Sequence, residues 1–151
     1  MWAVVDSRTV KRWAVVPIAL IVVLFAGTSY FSRARMMNLL DPYIDRVVSG
    51  ITVDERYELI ALMRWSAHFV EYGMFFTALS LGPLRGYPVT ALVASVGCAL
   101  LDEGLQSLRP DRSGSLFDVV VDCGGATTML MIAMAWWAMP RERRRSGGPR
   151  R

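Results

Sequence analysis

The sequence predicts an all-α fold: an integral membrane bundle of four antiparallel helices, with a short amphipathic helix in the first outer loop. Three observations predict it. Hydrophobic residues make up 54% of the 151 residues, and mean hydropathy is +0.35. They gather in four long runs, at about 13–31, 60–81, 88–106 and 117–139, instead of scattering as in a soluble core. The connections between the runs are mostly short, which sets consecutive helices side by side and antiparallel. A chain of this length fits one domain, here 1–151, with residues 140–151 as a basic tail.

Residues 13–31 carry no charge, and at about 1.5 Å per residue they reach ~28 Å, enough to cross a bilayer. Small residues at 26–29 would suit a signal-peptide cleavage site. The run is long for a signal core, however, and Tyr30 and Phe31 follow it as an interfacial belt would, so a retained first span is expected. In the loop at 32–52, Asp41-Pro42 reads as an N-cap with proline at the first helical position. Tyr43, Ile44, Val47, Val48 and Ile51 recur at helical spacing and Gly50 is a stop signal, so a short helix lying on the membrane surface is expected here.

Thr52-Val53-Asp54-Glu55 fits a capping box and opens a helix over 53–81. Its first two turns are charged and project into water. A breaker-rich turn at 82–88 follows, and Pro88 suits the first turn of the next helix, which ends near Leu108 ahead of Pro110. Ser115-Leu116-Phe117-Asp118 repeats the capping pattern and opens the last helix, which ends at Pro140.

The net charge of +4 is concentrated in the tail RERRRSGGPRR. No folded basic surface accompanies it, so it reads as a topology anchor meeting anionic headgroups and not as a nucleic-acid arm. With both termini inside, the inner segments hold ten basic residues and the outer segments six, leaving out Arg64. The expected topology is therefore multi-pass with both termini cytoplasmic. Cys98 and Cys123 lie within spans and are not expected to form a disulfide framework.

In this topology three helices place ionisable groups at similar depth on the outer side. Arg64, His68 and Glu71 form one stripe, with Tyr72 four residues after His68; Asp102, Glu103 and Gln106 end the third helix; Asp118 and Asp122 begin the fourth; Arg112 lies in the loop between them. Gly73, Gly97, Gly104, Gly124 and Gly125 offer places for close helix approach. A charge near the bilayer centre costs at least ~2.5–3.5 kcal/mol, so these groups should face inward and pair. Ion pairs that only lock the helices are one reading. The carboxylates outnumber the nearby arginines, and apolar packing would hold a bundle at lower cost, which favours a ligand-binding pocket.

The stretches RWSAHFVEYGMFF and LLDEGLQSLRPDRSGSLFDVVVDCGG resemble the VanZ-like family, tightly over about 60–126. Arg64, His68, Glu71, Tyr72 and Gly73 match its first block of basic residue, His and Glu-Tyr-Gly. Asp102, Glu103, Gln106, Pro110, Arg112 and Asp118 match its second. Asp122 stands where the family usually has Asn. The resemblance implies a small protein of the bacterial cytoplasmic membrane. The founding member of the family is linked to low-level resistance to teicoplanin, a glycopeptide that acts at the outer membrane face.

The expected function is thus a non-enzymatic site that holds a polar or cationic group of an envelope ligand, free or lipid-linked, with Arg112 available to a phosphate. Partners are membrane lipids, a lipid-linked precursor or a glycopeptide, and a second copy of the chain. An intramembrane enzyme acting on an envelope lipid is the alternative, with His68 as base, Glu71 as its orienting carboxylate and Asp102 or Glu103 as acid. No GxSxG motif supports it, and Ser66 is a generic small residue. A proton-coupled transporter would need an oligomer, and no broken-helix pair is evident. No cofactor is assigned. With one histidine and no Cys/His zinc spacing no residue is assigned as a metal ligand, although His68 with several carboxylates has the chemistry to hold one divalent cation.

Overall fold

The computed structural model describes residues 13–14, 16–17, 19–21, 33–48, 50–109 and 114–138. Among them the secondary structure is helical, with no strand. After the helical residues within 13–21, four helices follow: α1 (Arg33–Val47), α2 (Val53–Leu81), α3 (Pro88–Ser107) and α4 (Leu116–Ala138). The second half of the expected first span, residues 22–31, and the basic tail lie outside the described residues.

α1 begins well before the start read from Asp41-Pro42, and Pro42 lies inside it. The reason is tertiary. The Asp41 carboxylate does not cap a helix; it accepts from Arg56 Nη1 at 2.7 Å, while Asp45 takes Nη2 of the same guanidinium. Asp41 and Asp45, one helical turn apart, thus face the same side and share one partner. Along the expected apolar stripe Ile44 is buried, whereas Tyr43, Val47 and Val48 are exposed.

α2 starts where its capping box places it. Thr52 N–H donates to Glu55 Oε2 at 2.7 Å, and Glu55 N–H donates to Thr52 Oγ1 at 3.3 Å. Each partner thereby satisfies one of the donors that a helix start leaves open. Hydrogen bonds from the Thr52 backbone and then its hydroxyl hold the Glu55 carboxyl below its ordinary value. The Arg56 guanidinium is held above its ordinary value by Asp45 and Asp41. α2 ends at Gly82, whose N–H donates to Ala78 O, and Pro88 occupies the first turn of α3 as expected. Cys98 and Cys123 are free thiols.

Tyr72, Phe75, Phe76 and Leu79 of α2 pack with Ala91 and Ala99 of α3 and with Val119 and Ala126 of α4; Val16 and Ala19 lie against this core. The closest approach is between α2 and α4. A methyl group at Gly125 would lie 2.8 Å from the Phe69 carbonyl carbon and nearer still to its oxygen, so only glycine fits there. Gly97 and Gly104 face open space and Gly124 makes ordinary contact; of the glycines read as contact points, Gly125 and, less tightly, Gly73 serve that purpose.

The distribution of polarity is inverted relative to a soluble bundle. His68, Asp102, Glu103, Gln106, Asp118 and Asp122 are buried, while Leu62, Met74, Val93, Leu101, Met131 and Trp136 are exposed. Two helices, Pro88–Ser107 and Leu116–Ala138, are long and apolar enough to cross a membrane, and only 28% and 22% of their apolar windows are buried. α2 is long enough but carries Arg64, His68 and Glu71 in its middle.

Candidate functional site

α2 and α4 run parallel in fixed register. Arg64 meets Asp118 and His68 meets Asp122, each pair 54 residues apart in sequence. The two partners are four residues apart on both helices, so consecutive turns of α2 face consecutive turns of α4. Gly125, one turn below Asp122, permits this contact.

Each side chain at the contact has a defined partner. Arg64 Nη2 donates to Asp118 Oδ2 at 3.4 Å, and the Trp65 indole N–H donates to Asp118 Oδ1 at 3.1 Å. The His68 ring nitrogen Nδ1 lies 3.0 Å from Asp122 Oδ1. Spacing along the helix had suggested Glu71 as the carboxylate that orients His68. In the structure that place at Nδ1 is taken across the helix interface by Asp122.

α3 closes the site from a third side. Gln106 Nε2 donates to Asp102 Oδ2 at 2.8 Å, one turn apart on the helix. Glu103 Oε2 accepts the backbone N–H of Ser115 at 2.7 Å. Ser115 in turn caps α4, its Oγ accepting from Phe117 N at 3.2 Å and from Asp118 N at 3.4 Å. One serine therefore fixes the start of α4 and pins Glu103 against it. Gly114 makes that approach possible, since a methyl there would lie 2.5 Å from the Glu103 carbonyl oxygen and 2.9 Å from Ser107 Cβ.

The result is one contiguous polar cluster where the middle of α2 meets the start of α4 and the end of α3. One ligand atom each of His68, Glu103 and Asp118 lies within 4.8 Å of the other two. The Tyr72 hydroxyl, on a side chain 1% exposed, feels the charges of Asp102, Asp122 and Glu71. Glu71 is half-buried and also acts on His68. Of the site residues read from the sequence, Arg64, His68, Glu71, Tyr72, Asp102, Glu103, Gln106, Asp118 and Asp122 all belong to this cluster. Arg112 and Pro110 lie outside the described residues.

Sequence reasoning missed Trp65 and the Ser115 backbone. The first had a signal: an indole N–H within an apolar helix requires an acceptor. The second had none, because a backbone donor leaves no trace in residue type.

The cluster does lock helices together, as Arg64–Asp118 and His68–Asp122 demonstrate. It also keeps unused capacity. Glu103 Oε1, Asp122 Oδ2 and the Tyr72 hydroxyl are buried with no hydrogen-bond partner among the described residues. A purely structural lock gains nothing from such atoms, because each one costs about 1–3 kcal/mol of desolvation. Chemically the set can accept hydrogen bonds from an ammonium or hydroxyl, present an oriented imidazole, or surround a cation. Beside it, Trp65, Ser66, Phe69, Val70 and Val121 line an open, mostly apolar groove of about 300 Å³ between α2 and α4. Trp65 borders both.

A family model described as VanZ/LLP1 matches residues 8–137. No curated protein and no solved structure matches the chain.

Proposed function

The chain belongs to the VanZ/LLP1 family, and from that premise we propose that it is a multi-pass protein of the bacterial cytoplasmic membrane, with both termini cytoplasmic, whose polar cluster opens toward the outer face and holds the polar part of a cell-envelope ligand. The observation that carries this reading is the set of buried polar atoms left without partners among the described residues, in a bundle whose exterior is apolar. Ionisable groups kept inside an apolar bundle are expensive and mark a site more often than a lock. In the four-span arrangement, residues 13–31 and 60–81 join the two apolar helices Pro88–Ser107 and Leu116–Ala138.

The groove beside Trp65 favours a lipid-linked ligand. Its apolar lining suits an acyl or polyprenyl segment, while the adjoining carboxylates accept from amines or hydroxyls and Arg64 Nε, without a partner among the described residues, is available to a phosphate. By analogy with the family, the physiological consequence is altered susceptibility to a glycopeptide such as teicoplanin. A hydrolase or transferase reading draws on one observation, the His68–Asp122 contact, in which a carboxylate orients an imidazole.

The deciding experiment extracts the protein in its native lipids and compares retained molecules by lipidomics and native mass spectrometry. An envelope lipid or lipid-linked precursor is expected on the wild type and depleted from His68→Gln and Arg64→Gln at equal membrane abundance. Identical lipid profiles for all three proteins, together with unchanged teicoplanin susceptibility of the host, would refute the binding reading. Consumption of the retained molecule by the wild type but not by His68→Gln would move the assignment to an enzyme.

A further inference from the structure

Three helices each send one donor to a single point. His68 comes from α2, Glu103 from α3 and Asp118 from α4, and one ligand atom from each lies within 4.8 Å of the others. An ion that binds nitrogen and oxygen ligands at about 2.0–2.2 Å holds them ~3–4 Å apart. Side-chain rotation of about an ångström therefore brings the three donors onto one centre.

Three features of these side chains fit a cation better than a set of ion pairs. Glu103 is 5% exposed and, among the described residues, is fixed by one oxygen only: Oε2 takes the Ser115 N–H, while Oε1 is buried with no partner there. A buried carboxylate anchored through one oxygen and bare at the other has the form of a monodentate metal ligand. His68 is held at Nδ1 by the Asp122 carboxylate, which leaves Nε2 as its free nitrogen among the described residues. Carboxylate at one ring nitrogen and metal at the other is the usual arrangement of a ligating histidine, and it fixes the tautomer and the ring plane. Asp118 accepts one bond at each oxygen, from the Trp65 indole at 3.1 Å and from Arg64 Nη2 at 3.4 Å, and a carboxylate with about four lone-pair sites keeps some to spare.

We propose that His68, Glu103 and Asp118 bind one divalent transition-metal ion, Zn²⁺ or Mn²⁺, with Asp122 orienting the imidazole from behind. One imidazole nitrogen with two carboxylate oxygens suits these ions better than Mg²⁺ or Ca²⁺, which take oxygen ligands, or copper(I), which takes thiolates. Three protein ligands leave a coordination position open to a water or to an oxygen of a bound molecule. The proposal is independent of the ligand reading above, because metal content is measured with no envelope molecule added.

The test uses the full chain, free of any polyhistidine tag, in nanodiscs after EDTA stripping and exchange into metal-free buffer. Zn²⁺, Mn²⁺ and Mg²⁺ are titrated singly, bound metal is counted by mass spectrometry after desalting, and Co²⁺ substitution reports the ligand field by visible absorption. We expect one ion per chain, a melting temperature that falls on stripping and recovers with the ion, and a Co²⁺ spectrum that changes in His68→Gln. Glu103→Gln and Asp118→Asn should each weaken binding at least tenfold, Asp122→Asn about 10–100-fold, and the exposed carboxylate variant Asp54→Asn not at all. A wild type that takes up no stoichiometric ion overturns the proposal, as does metal retained at wild-type affinity by both Glu103→Gln and Asp118→Asn, or binding of Mg²⁺ in preference to Zn²⁺ and Mn²⁺. Should the ligand variants fail to fold, the wild-type stoichiometry and its recovery after stripping decide the matter alone.

Discussion

Replacing Gly125 with alanine should force α2 and α4 apart. The added methyl would sit 2.8 Å from the Phe69 carbonyl carbon, against an ordinary carbon–carbon contact of about 3.5–4.0 Å. The obstacle is helix backbone, so no side-chain rotation relieves it, and the helices must separate by ~1 Å. One turn away, the His68–Asp122 contact of 3.0 Å would then stretch beyond hydrogen-bonding reach, and the Arg64–Asp118 contact starts at 3.4 Å. Overpacking alone costs about 1–3 kcal/mol, and a weakened charge-assisted hydrogen bond adds a comparable amount. A net loss of ~3 kcal/mol corresponds to about 6–12 °C in melting temperature for a chain of this size. Thermal unfolding in detergent, followed by circular dichroism, measures it. Gly73→Ala should cost less, because its nearest obstacle at 3.1 Å is the flexible Met129 side chain. Gly97→Ala, facing open space, should be neutral or stabilising by up to ~1 kcal/mol. A Gly125→Ala protein that melts with the wild type would refute the close α2–α4 register on which the polar cluster depends.

Asp118→Ala removes the acceptor of both Arg64 and Trp65 and leaves a guanidinium inside the bundle without that partner; a loss of about 3–5 kcal/mol is expected by chemical denaturation. Trp65 emission should shift to the red in that variant, and Asp118→Asn, which keeps an acceptor, should shift it less. The capping box makes the start of α2 pH-dependent. Because the folded Glu55 carboxyl is held below its ordinary value, its contribution is present above the unfolded value of about 4.3 and is lost as pH falls through the folded one. Hydrogen exchange of the first turn of α2 should therefore accelerate on acidification below that window in the wild type, and should already be fast and nearly pH-independent in Thr52→Ala. Arg56→Gln removes the shared partner of Asp41 and Asp45, so α1 should become more protease-sensitive while the melting of the remaining helices is little changed; equal cleavage rates would count against the Arg56 clamp.

Most helix boundaries could be read from local chemistry. Thr52 and Glu55, Pro88, and Ser115 with Asp118 each act within one turn, so residue type at fixed spacing is enough to locate α2, α3 and α4. The start of α1 could not be read this way, because Asp41, which looks like a cap in sequence, is turned to Arg56, fifteen residues distant, and the helix already runs from Arg33. The candidate residues could likewise be named in advance, since ionisable groups in apolar helices identify themselves by their cost. Their partners could not. Asp122 faces His68, and Ser115 N–H meets Glu103, only because α2 and α4 lie parallel in close contact and Gly114 and Ser115 lie against the end of α3.

By itself, then, the sequence determined the helical class, the limits of its three long helices and the identity of the polar residues, because capping, helix breaking and hydrophobic clustering are short-range effects written in residue type. The tertiary structure decided which of those residues meet: which carboxylate orients His68, which atoms are left buried without a partner, and that donors from three helices converge within a few ångströms. Those facts depend on helix register, and register is set by steric fit at points such as Gly125 against the Phe69 carbonyl, which no local pattern encodes.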